Sequence, residues 1–416
     1  MAGRLLLPMS FSPSVPIEPP SPAIHWRLAW GVVALQGSLQ MGWIIYRAYQ
    51  PVLLSGHGFA SLLVPFALVP GFLGLLIEPI SGAFSDRWAF KARGRLMPIT
   101  VSVLVAASVF LTIAGTVQGG MAMGNLLLPG LMLVWMTAVQ ATSSPGLALL
   151  NEAVSLKRLP TVAALLVLTQ GVIGAFAGGL AQEALQLGPT FTLLLGATIL
   201  ALGLAVLRSA PTPHPDTPLS AQEPAPSPPL GRCALLLALA LAIGALGQVL
   251  LELLPRVQTL AAAAPNLSAQ TPVVLLSSAL AAPFAGKLVT RWGHRGALLR
   301  VIPSLSVSLA LTLLLPSAGI PPLLPLLGFL HSLLFTALTA LGLSTLPHAW
   351  SGLGAGLVLG GSGLAGSLSL LHFGPGGTLP AGPVFVVLAG CGGLALAGCV
   401  LLPQGLQRDS DVSITP

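Results

Sequence analysis

The sequence predicts an all-α membrane protein with twelve transmembrane helices, divided into two halves of six. Its composition is the first observation: of 416 residues, 54% are hydrophobic and only 6% are charged, whereas soluble globular proteins carry about 25% charged residues. The second is the recurrence of apolar segments that approach the roughly 20 residues needed to cross a bilayer. The third is a polar, proline-rich segment near the middle of the chain, which separates six such segments from six others.

The apolar segments define the elements in order. The first half, 27–208, has predicted spans at 27–46, 58–83, 97–117, 122–143, 160–182 and 189–208. The second half, 232–402, has them at 232–255, 270–290, 297–316, 321–345, 352–373 and 381–402. Residues 1–26 are rich in proline and lack the apolar core of a signal peptide. We therefore expect a disordered cytosolic tail at 1–26 and a second tail at 403–416.

The segment between the halves, 209–231, reads SAPTPHPDTPLSAQEPAPSPPLG. Its proline content and polarity leave it too little apolar surface to build a core, and such composition is typical of an extended linker. We expect it to connect the two halves on the cytosolic side.

The distribution of lysine and arginine predicts the orientation. If the N-terminus is cytosolic, all but Arg47 and Arg256 of the 17 basic residues fall in inner loops or tails. Cytosolic loops of membrane proteins carry such an excess of bases. An even number of spans then places both termini on the cytosolic side. The bases are spread over short loops without an aromatic groove, so the net charge of +7 does not indicate nucleic-acid binding.

The two halves carry related loops at the same position. The loop after the second span reads GAFSDRWAFKARGR, and the loop after the eighth span reads GKLVTRWGHR. The shared positions and their neighbours are Gly82, Asp86, Arg87, Arg93, Gly94 and Arg95 in the first copy, and Gly286, Arg291 and Arg295 in the second. Thr290 replaces the acid in the second copy. Repeats about half a chain apart are typical of transporters.

These loops resemble motif A of the major facilitator superfamily, G-x-x-x-D-R/K-x-G-R-R/K. The resemblance implies the major facilitator fold, with two six-helix bundles that rock about a central site and with these loops controlling the inner gate. It implies that Asp86 pairs with a base or a helix N-terminus of the other half. The long spacer before Gly94 and Arg95 is most similar to the glycoside-pentoside-hexuronide and sucrose-symporter branch. Bases that only set topology are the alternative interpretation of Arg93 and Arg95.

Ionisable groups at membrane depth are functional candidates because their burial is costly. Glu78 lies about 12 Å along the second helix from Asp86 and is followed by Pro79. A buried carboxyl can carry a proton, so Glu78 is the candidate for coupling or gating. An acid that reaches the inner interface is the alternative. Arg47, flanked by Tyr46 and Tyr49, is either an interfacial anchor or a substrate contact.

Neutral polar residues complete the set of candidates. In the resembled superfamily, helices 1, 4, 7 and 10 line the central cavity. The resemblance therefore makes Gln36, Gln40, Gln140, Gln248 and His331 candidates for substrate contact. Hydrogen bonds between helices are the alternative for each of them.

Several functional classes lack support in the sequence. We find no nucleotide-binding loop, hydrolytic triad or metal-ligand spacing, so we predict neither an enzyme nor a cofactor or metal. The leading prediction is a secondary active transporter of a small organic solute, with sugars favoured, driven by a solute or proton gradient. A non-transporting pigment or assembly-factor protein of the same fold and an exporter of hydrophobic compounds are the alternatives.

Overall fold

The computed structural model describes residues 24–89, 94–119, 122–211, 227–261, 270–315, 319–377 and 379–402. Within these ranges lie twelve helices long and apolar enough to cross a membrane, which confirms the predicted all-α membrane protein with twelve spans. In order, α1 to α12 are Trp26–Gly56, Ala60–Ala89, Leu96–Gln118, Leu127–Ala153, Leu156–Ala175, Pro189–Arg208, Leu230–Val257, Gln270–Trp292, His294–Leu314, Pro321–Thr345, His348–Phe373 and Ala381–Leu401. The predicted C-terminal tail and most of the predicted N-terminal tail and linker lie outside the described residues, whereas Trp26, the last residue of the predicted N-terminal tail, begins α1.

Several helices extend beyond their predicted bounds; α2 ends at Ala89 rather than at 83, and α4 ends at Ala153 rather than at 143. The first and the fifth helices also differ. The first was expected to end near residue 46, yet α1 continues through Pro51 to Gly56, because a helix can extend beyond its apolar span into polar sequence. The fifth was expected to run unbroken to 182. It breaks at Phe176, in a glycine-containing stretch, and resumes as a separate helix, Ala177–Leu187.

The packing pairs of the first half recur in the second when six is added to each helix number. Pairs within the first half include α1–α6, α1–α5, α2–α4, α3–α4 and α3–α6. Pairs within the second include α7–α12, α7–α11, α8–α10, α9–α10 and α9–α12. Between the halves, α2 packs lengthwise on α11 and α5 packs lengthwise on α8.

Apolar residues form a core within each half and also cover the outside. One large core is built from first-half helices and joins Ala340, Leu343 and Ala355 of α10 and α11. The other is built from the second half. Large apolar side chains such as Leu280 and Phe284 on α8 are about 70% exposed, at 71% and 68%. Apolar surface on this scale suits a lipid environment.

The contact between α2 and α11 depends on glycine. An added Cβ at Gly82 would lie 2.1 Å from the carbonyl oxygen of Gly352, and one at Gly356 would lie 2.3 Å from that of Glu78. A side chain of α11 also makes hydrogen bonds to the backbone of α2. Ser367 Oγ accepts a hydrogen bond from the amide of Gly71 at 3.1 Å and donates one to the carbonyl of Leu68 at 2.6 Å. Small residues are what allow transmembrane helices to approach this closely.

Replacing Gly82 with alanine should therefore destabilise the protein. The new methyl group meets backbone that cannot move aside, and such overpacking costs about 1–3 kcal/mol. We expect a lower thermal unfolding temperature in detergent. Gly115→Ala in α3 is the matched control, since nothing lies within 4 Å of a Cβ added there. Equal unfolding temperatures for the two variants would contradict the close contact.

Candidate functional site

A buried ionic cluster joins the two halves at one end of the bundle, which we call the inner end. The Asp86 carboxylate at the end of α2 accepts hydrogen bonds from the backbone amides of Gly352 and Leu353, each at 2.9 Å. These amides belong to the first turn of the α-helix that begins at Ser351 in α11. The exposed amides and partial positive charge of a helix N-terminus favour a carboxylate there.

Arg95, at the start of α3, completes this inner cluster. Its guanidinium bonds to Asp86 Oδ1 at 2.5 Å, to Glu152 Oε1 at 2.9 Å and to Ser351 Oγ at 3.1 Å. Asp86 and Arg95 are 1% and 3% exposed, so both charges depend on each other for compensation. Asn151, beside Glu152, also crosses between the halves and donates to the carbonyl of Leu343 in α10 at 2.8 Å. The inner cluster therefore fastens α2, α3 and α4 to α11.

The other residues of the first loop are placed differently. Arg87 is exposed and takes no part in the described hydrogen bonds of the inner cluster. Gly94 has φ +53, a left-handed conformation that glycine adopts readily, and so turns the chain into Arg95. Arg93 lies outside the described residues.

The second loop repeats the close helix contact but not the cross-linking ions. An added Cβ at Gly286 would lie 3.1 Å from the carbonyl oxygen of Pro160 in α5, as expected for the counterpart of Gly82. Thr290, in the place of the acid, donates within its own helix to Gly286. Arg295 bonds to the carbonyls of Cys399 and Val400 in its own half, and Arg291 is exposed. An inner cluster like that of Asp86 is absent from the described part of this loop because the acid is missing.

Glu78 lies two turns from Asp86 along α2, in the junction of α2, α4 and α11. Its carbonyl accepts from Ser144 of α4 at 2.7 Å and faces Gly356 of α11. Its side chain is 8% exposed, and Oε2 has no hydrogen-bond partner among the described residues. A buried carboxyl without an ion pair is costly to keep charged. The geometry thus leaves Glu78 able to hold a proton.

One stripe of α1 changes from buried to exposed along its length. Gln36, Gln40, Trp43 and Arg47 follow each other at helical spacing over about 16 Å. Gln36 is buried, Gln40 and Trp43 are half-buried and Arg47 is exposed. The guanidinium carbon of Arg47 lies 5.8 Å from the centroid of the Trp43 ring, a cation–π contact. The face of α1 therefore opens away from the inner cluster.

Two of the predicted substrate contacts, Gln36 and Gln140, make hydrogen bonds between helices. Gln36 Nε2 donates to the carbonyl of Ser143 in α4 at 2.9 Å. Gln140 Nε2 donates to the carbonyl of Pro70 in α2 at 2.7 Å. Both side chains are buried, at 6% and 4% exposure, and Gln140 Oε1 has no described hydrogen-bond partner.

Gln40 and His331 contribute to a polar group between the halves. Gln40 Nε2 donates to the carbonyl of Gln170 in α5 at 3.0 Å, and its Oε1 has no described partner. His331 Nδ1 shares a hydrogen bond of 2.9 Å with Ser278 Oγ of α8. The Gln40–Gln170 and Ser278–His331 pairs lie near each other where α5 packs on α8. At this point Leu275 of α8 lies against Gly171 and Gly174 of α5. These contacts place an amide and an imidazole beside the α5–α8 contact between the halves.

Gln248 lies elsewhere. Its carboxamide rests against Gly366 of α11 and lines a groove whose described lining comes from α7, α11 and α12. That lining holds no residue of the first half, so the structure does not bring Gln248 together with Gln40.

Sequence reasoning missed Glu152 and Ser351, which join the inner cluster. Their signal was weak: Glu152 is an acid at an inner helix end, where acids contribute little to topology. It also missed a π-helical turn in α7, Val249–Leu253, next to Gln248. Such turns are rare and often lie at functional sites.

Comparison with known proteins adds no family. No protein-family model matches the sequence. No curated protein matches it significantly. The chain is a multi-pass membrane protein by its twelve spans, and any finer assignment rests on its own residues.

Proposed function

We propose that this protein is a secondary active transporter of the major facilitator type, which moves a small organic solute by alternating access. Its two halves, 27–208 and 232–402, would rock about the polar group between them. The inner cluster would be the closed gate of one state. In this proposal both termini and the proline-rich linker are cytosolic.

The observation that carries the proposal is the inner cluster, since its buried ion pair and its cap on α11 link the two halves at the inner end. Asp86 binds α11 through amides that any separation of the inner ends would expose. The stripe on α1 meanwhile becomes exposed toward the opposite end. The recurrence of packing pairs after six helices supports the two-half arrangement that rocking requires.

The proposed solute is neutral, with sugars favoured. Gln40, Gln170 and His331 supply uncharged donors and acceptors, and Trp43 supplies an aromatic face. Arg47 lies at the exposed end of the stripe and so is poorly placed to hold an anion at depth. Glu78, buried without an ion pair among the described residues, is the proposed carrier of a coupling proton.

Transport by the purified full-length protein in liposomes tests the proposal. The panel would contain neutral sugars, amino acids, organic anions and a hydrophobic dye, each assayed with and without a pH gradient. We expect a neutral solute to enter faster than in empty liposomes, and uptake to fall several-fold when an ionophore removes the gradient. Glu183→Gln, an exposed acid on the segment Ala177–Leu187, is the control expected to behave as wild type.

Two results would contradict the proposal. Movement of the hydrophobic dye alone would favour the exporter. Pigment that co-purifies with a protein unable to transport any member of the panel would favour a non-transporting carrier.

A further inference from the structure

A groove runs along α7 between α11 and α12, away from the polar group between the halves. Its volume is about 480 Å³, and its lining is apolar apart from Gln248, Ser369 and His372. Leu235 and Leu401 line its inner part, and Phe373 lies at its outer end. From Leu235 to Gln248 the groove follows α7 for about 20 Å, enough for much of a long hydrocarbon chain.

The three polar residues form a strip in the outer part of the groove. Gly366, Ser369 and His372 follow each other on one face of α11, and the Gln248 carboxamide lies against Gly366. None of the three polar side chains makes a hydrogen bond to another described residue; Gln248 and Ser369 are half-buried and His372 is exposed. A carboxamide and a hydroxyl in hydrocarbon are costly without a partner. A ligand atom that accepts or donates hydrogen bonds would therefore stabilise the strip.

The corresponding position in the first half is covered by protein. There the helical segment Ala177–Leu187 packs on α1 and α6. The Ala184 carbonyl accepts from the hydroxyls of Tyr49 and Thr192, at 2.7 and 2.8 Å. In the second half α11 is followed by glycines held by Arg256, which donates to the carbonyls of Phe373 and Gly374 at 3.1 and 3.2 Å. The equivalent space beside α7 is thus left as the groove.

We infer that this groove binds a neutral membrane lipid with one long hydrocarbon chain and a hydroxyl or ester group. The hydroxyl or ester bonds to the strip of Gln248, Ser369 and His372. The chain extends along α7 toward Leu235 and Leu401. The polar part is uncharged because the groove lining contains no Asp, Glu, Lys or Arg.

Photo-crosslinking tests this inference with the full-length protein in phosphatidylcholine vesicles. The first probe is a diazirine-labelled monoacylglycerol; the second is a diazirine-labelled hydrocarbon of equal length without a polar group. We expect the monoacylglycerol to label peptides of α7, α11 and α12 several times more strongly than the hydrocarbon does. Since a hydrogen bond within a membrane contributes about 0.6–1.7 kcal/mol, Gln248→Leu should reduce this labelling by a factor of about 3 to 17.

Two further pairs of variants separate the ligand from the fold. Ala238→Phe places a ring in the groove from an exposed lining position and should reduce labelling by both probes. Gln118→Leu, at the exposed end of α3, and Ala205→Phe, on the exposed face of α6, are matched controls that should label as wild type. Size-exclusion profiles would show that each variant is folded.

Three results would overturn the inference. Equal labelling by the two probes would mean that only ordinary lipid contact occurs. Unchanged labelling of Gln248→Leu would show that the polar strip does not contribute to binding of the monoacylglycerol. Labelling that begins only after residues 403–416 are deleted, or only in a monomer separated from a dimer, would show that protein occupies the groove.

Discussion

Asp86→Asn should open the inner end of the protein. The substitution keeps the shape of the side chain but removes the negative charge that pairs with Arg95, and it weakens the cap on α11. Breaking a buried ion pair costs about 3–5 kcal/mol. A cysteine placed at Leu343, which is 2% exposed, reports the opening. In a background without the native cysteines, we expect a maleimide reagent to label this cysteine at least tenfold faster in Asp86→Asn than in the protein with Asp86.

One control variant and one second variant of the cluster test whether this result is specific to the inner cluster. Glu183→Gln applies the same kind of change to an exposed acid and should leave labelling at Leu343 unchanged. Arg95→Gln, which removes the other side of the ion pair, should raise labelling as Asp86→Asn does. If Leu343 stays protected in both cluster variants while their unfolding temperatures match that of wild type, the inner cluster is not a gate.

Glu78→Gln should abolish the dependence of transport on a pH gradient. Glutamine fits the same space between α2, α4 and α11 but cannot release a proton. Uptake driven by a proton gradient should fall about tenfold or more. Exchange of labelled for unlabelled solute, which needs no net proton movement, should continue. The measurement is uptake in liposomes with the solute identified by the panel, at matched protein content.

A retained pH response in Glu78→Gln would show that another group carries the proton. Glu183→Gln is again the matched control, since that acid is exposed outside the junction. Glu78→Ala should lower stability as well as coupling, because it removes packing in a buried site. The glutamine variant separates the two effects.

Much of the fold could be predicted from the sequence because the bilayer imposes a length and a polarity on each element. The sixth and tenth predicted spans, 189–208 and 321–345, match the observed bounds. Asp86 could be predicted to bind across the halves because its motif specifies an acid at a helix end. The close contact at Gly82 followed from the absence of a side chain.

The partners of polar side chains could not be predicted, because they depend on how the helices are rotated. Gln36 lies one turn from Gln40 on α1, yet it bonds to the carbonyl of Ser143 on α4. Gln140 on α4 bonds to the carbonyl of Pro70 on α2. Gln248 was expected beside the solute and instead faces the groove of the second half. The π-helical turn next to it has no sequence signature, so the rotation of the outer part of α7 could not be read from residue spacing.

The π-helical turn at Val249–Leu253 has a consequence for how α7 is anchored. A wider turn accommodates one residue more than an α-helical turn does, and everything beyond it is rotated about the helix axis. Arg256 reaches the carbonyls at the end of α11 from that rotated portion, while Gln248, before it, points into the groove. Deleting a single residue from the turn would rotate Arg256 about the axis of α7. The carbonyls of Phe373 and Gly374 would then lose the guanidinium that donates to them.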